Sequence, residues 1–137
     1  MLPKYKFYHF GLKCIYDVTS INFINKEVEC IVSDVDNYLN TWRLNSGKLL
    51  ESTGLFGEGK EAFQGDIIHY KIEDKSNDGS PYTLRELTGY IYKEGNCMWV
   101  KVNDSEIVPL WCLEDQYAIF KILGNIYEHP HLLGEDF

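Results

Sequence analysis

Between Thr88 and Val102, two runs rich in aromatic and β-branched residues flank a short polar link. They read Gly89-Tyr90-Ile91-Tyr92 and Cys97-Met98-Trp99-Val100-Lys101-Val102, and the link is Lys93-Glu94-Gly95-Asn96. Such runs suit pleated, half-buried surfaces, and a Gly-containing link of this length joins adjacent antiparallel strands. The segment therefore predicts a β-hairpin over Tyr90 to Val102, central to the fold, with Trp99 substantially buried on it.

Other stretches repeat the two-residue period. From Gly65 to Glu73, Ile68, Tyr70 and Ile72 share one face, while His69, Lys71 and Glu73 share the other, which predicts a strand with one wet side. Val28, Cys30 and Val32 alternate with Glu29 and Ile31, and Phe120, Ile122, Gly124 and Ile126 fall on one face of a later strand. Lys4 to Phe10 and Lys13 to Asp17 read as two short strands parted by Gly11. Helix is scarce: only Val35 to Trp42 and Leu113 to Tyr117 have room for a turn or two, and neither has a capping residue followed by a sustained apolar stripe. At Glu128-His129-Pro130-His131 proline stops the last strand and opens a short helical turn through Leu133.

The expectation is a mainly β fold of seven or more short strands with little helix. A curled antiparallel sheet or a barrel-like closure would hide its edges. A chain of 137 residues is of single-domain size, so residues 1–137 are expected to form one small domain. Aromatics at 15%, with 10 Tyr and 7 Phe against 2 Met, favour the same β class. Asp74 to Pro81, which holds only turn formers and charged residues, reads as a surface loop inside that domain.

The 13 Lys and Arg against 21 Asp and Glu give a net charge of −8, which repels phosphate backbones and anionic membranes at long range. With no basic recognition helix, sequence-specific binding of duplex DNA is not expected. The first ten residues have no apolar core of signal-peptide length, and no apolar run approaches the ~18 residues that span a bilayer. No membrane partner and a cytoplasmic location are expected. Cys14, Cys30, Cys97 and Cys112 form no Cys-x-x-Cys pair and read as reduced, small apolar residues in or near the core.

Candidate chemistry is sparse. Gly54 to Gly59 is glycine-rich, but Gly59-Lys60-Glu61 does not complete a phosphate-binding loop. His129 and His131 flank Pro130, and His69 could join them, yet no Cys or carboxylate is placed by spacing to complete a metal site. Glu114-Asp115 and Glu135-Asp136 are adjacent carboxylates, whereas general acid-base work needs opposed ones. There is no Gly-x-Ser-x-Gly elbow. Trp42, Trp99 and Trp111 are more readily core residues than stacking platforms for single strands, which normally lie in basic grooves. An enzyme is disfavoured, and no catalytic residue, metal ligand or cofactor is expected.

Two segments carry a resemblance. Ser52-Thr53-Gly54-Leu55, followed by Gly59-Lys60-Glu61-Ala62-Phe63-Gln64-Gly65-Asp66-Ile67-Ile68, resembles the central signature of the YopX family of phage and prophage proteins. Ile122-Leu123-Gly124-Asn125-Ile126-Tyr127-Glu128-His129-Pro130 resembles the family's C-terminal signature, while the N-terminal third matches only at Lys6-Phe7. The resemblance implies a phage or prophage origin and a mainly β fold, and it implies no catalytic residue.

The signature residues Thr53, Gly54, Leu55, Gly65, Asp66, Ile67, Gly124, Asn125, Ile126 and Tyr127 read physically as architecture before binding site. Gly65 permits a backbone conformation closed to other residues, and the Asp66 carboxylate can accept nearby backbone N–H groups. Gly124 inside an apolar strand marks a bulge or a close approach. The two signatures are expected to meet at one structural centre. Two functions follow from different classes. The first is a non-catalytic accessory module that binds an as yet unidentified protein, with self-association into a homo-oligomer through strand edges or aromatics. The alternative is a nucleic-acid-binding or nucleic-acid-imitating β-barrel.

Overall fold

The computed structural model describes residues 4–33, 35–36, 38–103, 105–110 and 118–133. They group into two compact units, Met1–Ser52 and Thr53–Phe137, each with its own apolar cluster.

The first unit is built from β1 (Tyr5–His9), β2 (Cys14–Asn22), β3 (Glu27–Ser33), β4 (Tyr38–Arg43) and the opening half of β5 (Gly47–Gly57). These strands are hydrogen-bonded in the order β4-β3-β2-β1-β5, every pair antiparallel. Phe7, Val28 and Cys30 are wholly buried, and Tyr16, Val18, Trp42 and Leu49 pack around them. Three strand spacings of about 4.8 Å separate β4 from β1 along the hydrogen-bonding direction, roughly 14 Å if the sheet were flat. The Trp42 ring nevertheless lies 4.7 Å from that of His9 and 6.3 Å from that of Phe7, stacked on the latter. The sheet is therefore strongly curled over Trp42, and register shifts at Val18/Ser20 and Ile31/Ser33 supply the kind of local irregularity that bends strands. The short helix that composition allowed over Val35 to Trp42 is absent among the described residues. Val35 and Asp36 are in a turn, and Tyr38–Arg43 extends as β4, because Trp42 gains its cover from β1 and β2 only when the backbone is extended.

Burial pushes the Cys30 thiol up to about 11, with the carboxylates of Asp17 and Glu29 adding to the effect, so it stays protonated and serves as a small apolar residue. Cys14 is half-buried, but Cys97 is exposed beside a tight turn, contrary to its expected place near the core. Cys112 and Trp111 lie outside the described residues, as do Leu113 to Tyr117 and the acidic pairs Glu114-Asp115 and Glu135-Asp136.

In the second unit the closing half of β5 pairs with β6 (Lys60–Phe63), and a five-stranded antiparallel sheet follows. Its strands are β7 (Asp66–Lys75), β8 (Pro81–Glu94), β9 (Cys97–Asn103), β10 (Glu106–Pro109) and β11 (Ala118–Asn125), in the order β10-β9-β8-β7-β11. The hairpin expected over Tyr90 to Val102 is the β8–β9 pair. Alternation puts Ile68, Tyr70, Ile91, Val100 and Phe120 on one face, where they pack with Ala62 and Leu110. The surface loop narrows to a turn at Ser76 to Ser80, where the Ser76 hydroxyl and the Ser80 N–H hold the Asp78 carboxyl down at about 2. Neither sheet closes into a barrel; β10 and β11 are the edges of the second. No helix among the described residues is long and apolar enough to cross a membrane.

Trp99 is largely buried, as expected, but on the face away from the cluster: it pairs with Tyr92 and Pro109, whereas its neighbour Val100 is fully buried and faces the cluster. Met98 and Val102 pack on the cluster with Val100, so the residues between them, Trp99 and Lys101, face the other way. Phe7→Ala is therefore expected to cost about 3 to 5 kcal/mol. Trp99→Ala should cost less, about 1 to 3 kcal/mol, because the indole keeps part of its surface in water and leaves no sealed cavity. Urea midpoints at constant slope measure both, and equal losses would refute the assignment of faces.

Candidate functional site

The two signature segments meet on the second unit. Gly65 adopts a φ of +93°, open to glycine and strained for other residues. Its N–H donates to the Ile91 carbonyl at 2.7 Å, and its carbonyl accepts the Ile126 N–H at 2.9 Å, so one residue ties the entry of β7 to β8 and to the segment after β11. The Asp66 carboxylate accepts the Phe63 N–H at 2.8 Å and fixes the turn between β6 and β7. Asp66 and Ile67 then pair with Asn125 and Gly124 of β11, and Ile67 is fully buried. The register shifts between Ile122 and Gly124, which is the bulge expected at this glycine.

Beyond Asn125 the chain folds back on the two glycines. The Asn125 side-chain oxygen accepts the N–H groups of Tyr127 at 3.1 Å and Glu128 at 2.8 Å, and its amide donates to the Glu128 carboxylate at 3.0 Å. This places the Tyr127 ring over Gly65, where an added Cβ would lie 2.7 Å from Cε2. His129 and Leu132, the latter in the 3-10 turn Pro130–Leu133, occupy the space that a side chain at Gly124 would need; a Cβ there would lie 2.7 Å from His129 Nδ1. That nitrogen also accepts the Asn125 N–H at 3.3 Å.

The first part of the signature lies one strand away. The Thr53 hydroxyl donates to the Ala62 carbonyl at 2.8 Å and accepts the Leu55 N–H at 3.1 Å, Gly54 between them has a φ of +77°, and Leu55 packs on the core. Thr53 is thus joined to Asp66 through β6 and not by direct contact. The polar signature side chains Thr53, Asp66 and Asn125 all bond to nearby backbone. The His129 and His131 rings stand edge to face at 6.2 Å. Among the described residues no three His, Cys, Asp or Glu side chains are grouped to hold a metal ion.

A second polar constellation occupies the opposite face of the same sheet from its core. His69 Nδ1 is 2.8 Å from the Thr88 hydroxyl, His69 Nε2 is 2.6 Å from Glu86 Oε1, and Lys71 Nζ is 3.8 Å from the same oxygen. Sequence alone reveals the polar face of β7 but not its partners, which depend on the pairing of His69 with Thr88 and of Lys71 with Glu86. The row of hydroxyl, imidazole and carboxylate lies on an open sheet face, with the His69 and Glu86 side chains 31% and 49% exposed, and it serves to pair strands.

Gly124→Val is expected to destabilise by about 1 to 3 kcal/mol through overpacking. Most of that loss should disappear in a His129→Ala background, giving a coupling of at least about 0.5 kcal/mol; simple additivity in the double-mutant cycle would contradict the proposed crowding. The hydrogen bond from His69 holds the Glu86 carboxyl below its ordinary value, with Lys71 helping. A depressed carboxyl contributes stability above its unfolded pKa and loses it as pH falls through the folded one. Glu86→Gln should therefore lower the melting temperature at neutral pH, and the difference should vanish well below the ordinary glutamate value of about 4. A difference that persists there would show that charge is not its source.

A family model described as YopX protein matches residues 4–134. A search of curated proteins finds no match. Among solved structures, protein yopX from Bacillus subtilis superposes with a TM-score of 0.60 at 14% identity, over 98% of each chain. Protein EF1440 from Enterococcus faecalis does so with a TM-score of 0.57 at 19% identity, over 97% of this chain and 99% of that one. At these identities the two structures establish the shared fold, while the family match spans both compact units: the chain belongs to the YopX protein family.

Proposed function

We propose that the chain is a phage- or prophage-type accessory protein that acts in the cytoplasm by binding another protein and not by catalysis, through the β2–β3 end of its first unit. The observation that carries this reading is the state of Phe23 and Ile24, which stand 68% and 93% exposed at the tip between β2 and β3. The tip is ordered: the Asn22 side-chain oxygen accepts the N–H groups of Ile24 and Asn25 at 3.1 and 3.0 Å. Large apolar side chains standing in water mark an interaction surface, and a turn backbone held in place beforehand lowers the cost of binding.

Beside the tip a groove of about 710 Å³ is lined by Phe23, Lys26, Glu27, Arg43 and Leu44. Its chemistry suits a partner segment that sets an apolar side chain against Phe23 and Leu44 and a carboxylate near Lys26 and Arg43. The engagement of Thr53, Asp66 and Asn125 with backbone supports a structural role for the signatures. Free thiols at Cys14, Cys30 and Cys97 support a reducing compartment. Family membership is the support for phage origin. If the partner is a second copy, the outer edge of β4, with Tyr38 and Leu39 exposed, supports a homo-oligomer.

The test is affinity capture from host cells, followed by calorimetric titration with the captured protein after purification. Replacing both Phe23 and Ile24 with Asp should weaken binding by at least about tenfold at an unchanged melting temperature, since buried apolar anchors dominate such interfaces. Unchanged affinity in the double variant would sink this surface, and a sedimentation mass of twice the chain would identify the partner as a second copy.

A further inference from the structure

We infer that the outer edge of β4 is the interface of a homodimer, in which it pairs antiparallel with β4 of a second copy about a two-fold axis. The inference rests on the second-copy case of the reading above, but its site is β4 alone and not the tip at Phe23 and Ile24. β4 ends the first sheet. The Leu44 N–H donates to the Lys26 carbonyl at 2.9 Å, and with the register of β3 against β4 this turns the main chain of Asn40 and Trp42 toward β3. Leu39, Thr41 and Arg43 therefore turn theirs outward. Side chains stand in for a neighbouring strand there: the Asn40 side-chain oxygen accepts the Thr41 N–H at 2.9 Å, and the Ser46 hydroxyl donates to the Arg43 carbonyl at 2.6 Å.

The other sheet edges among the described residues are protected. β6 and β10 are short, β6 opens on Lys60 and β10 ends at Pro109, while β11 carries the exposed Lys121 and the register shift before Gly124. Short strands, lysine, proline and bulges all discourage strand addition. β4 has six residues without lysine or proline, and the register shift beside it falls at Ile31/Ser33 of β3. Its sequence also fits its own reverse. With Asn40 on the two-fold axis, Leu39 lies opposite Thr41 and exchanges main-chain bonds with it, and Tyr38, 59% exposed, lies opposite Trp42. Aromatic cross-strand pairs are favourable. The same pairing brings the exposed Arg43 of each copy to the end where the exposed Asp36 of the other stands, and neither has a salt bridge among the described residues. A parallel arrangement would set Arg43 against Arg43. Charge and ring pairing thus both select a second copy in antiparallel register.

A strand pairing of this size makes a weak dimer, so sedimentation is measured at about 100 µM chain, where a mass of twice the chain is expected. Leu39→Pro removes an outward N–H, which an edge strand tolerates, and should return the mass to that of one chain at an unchanged circular dichroism spectrum. Replacing Phe23 and Ile24 with Asp should leave the dimer intact. Residues opposed in a non-hydrogen-bonded pair have Cα atoms about 4.5 Å apart, within disulfide reach. In a Cys97→Ser background, Asn40→Cys should therefore give a covalent dimer on mild oxidation, whereas Leu39→Cys, whose two copies lie diagonally about 7 to 8 Å apart, should not. A single-chain mass at that concentration, a dimer that survives Leu39→Pro or is lost with Phe23 and Ile24, or cross-linking at Leu39 and not at Asn40 would each overturn the proposal.

Discussion

The second unit depends on one residue, Gly65, held in a backbone conformation that almost only glycine accepts. Through its N–H and carbonyl, Gly65 is bonded to Ile91 on one side and Ile126 on the other, and it stands immediately before β7. The register of β7 against both its neighbours is set from this point. A slip of one residue would exchange Ile68 and Tyr70 for His69 and Lys71 on the core face, so the bonds at Gly65 keep the two faces of the sheet distinct. The Tyr127 ring covers the space beside this residue, so its missing side chain matters sterically as well as conformationally.

Much of this unit was legible in the sequence because its strands alternate cleanly. The β8–β9 hairpin, the faces of β7, the bulge at Gly124, the backbone bond to Asp66 and the turn at Pro130 all follow from local residue chemistry. The side on which Trp99 packs did not. Both faces of β9 carry large side chains, and the decisive residue was Lys101, which shares the Trp99 face and marks it as the wet one. β4 was illegible for another reason: Trp42 is its only half-buried residue, and the side chains that cover it come from β1 and β2, far away in sequence. A single inward residue in a polar strand leaves no period to read.

The signature residues show the same division between position and partner. Their spacing along the chain was plain, and so was the suitability of Gly and Asp for a turn. That Gly124 makes room for His129, and Gly65 for Tyr127, needed the fold, because each pair is set by the Asn125 turn, which reverses the chain onto its own strand. The His69, Thr88 and Glu86 row was hidden likewise, since alternation identifies a polar face but only the register says which polar groups touch.

β7 draws its two neighbours from very different distances along the chain. β8 follows after a turn of a few residues, while Ile68 finds Ile122 only after some fifty intervening positions. The entropic cost of closing a loop rises with its length, which favours early assembly of β7 through β10 as successive hairpins and late docking of β11. Until that docking, the edge of β7 that carries Ile68 and Tyr70 offers bare amides and carbonyls beside an apolar surface, the kind of edge that recruits strands from other molecules. The fold-back of His129 and Leu132 onto Gly124 then acts as a latch: once closed, it tethers the last strand at its far end and withdraws that edge from competition.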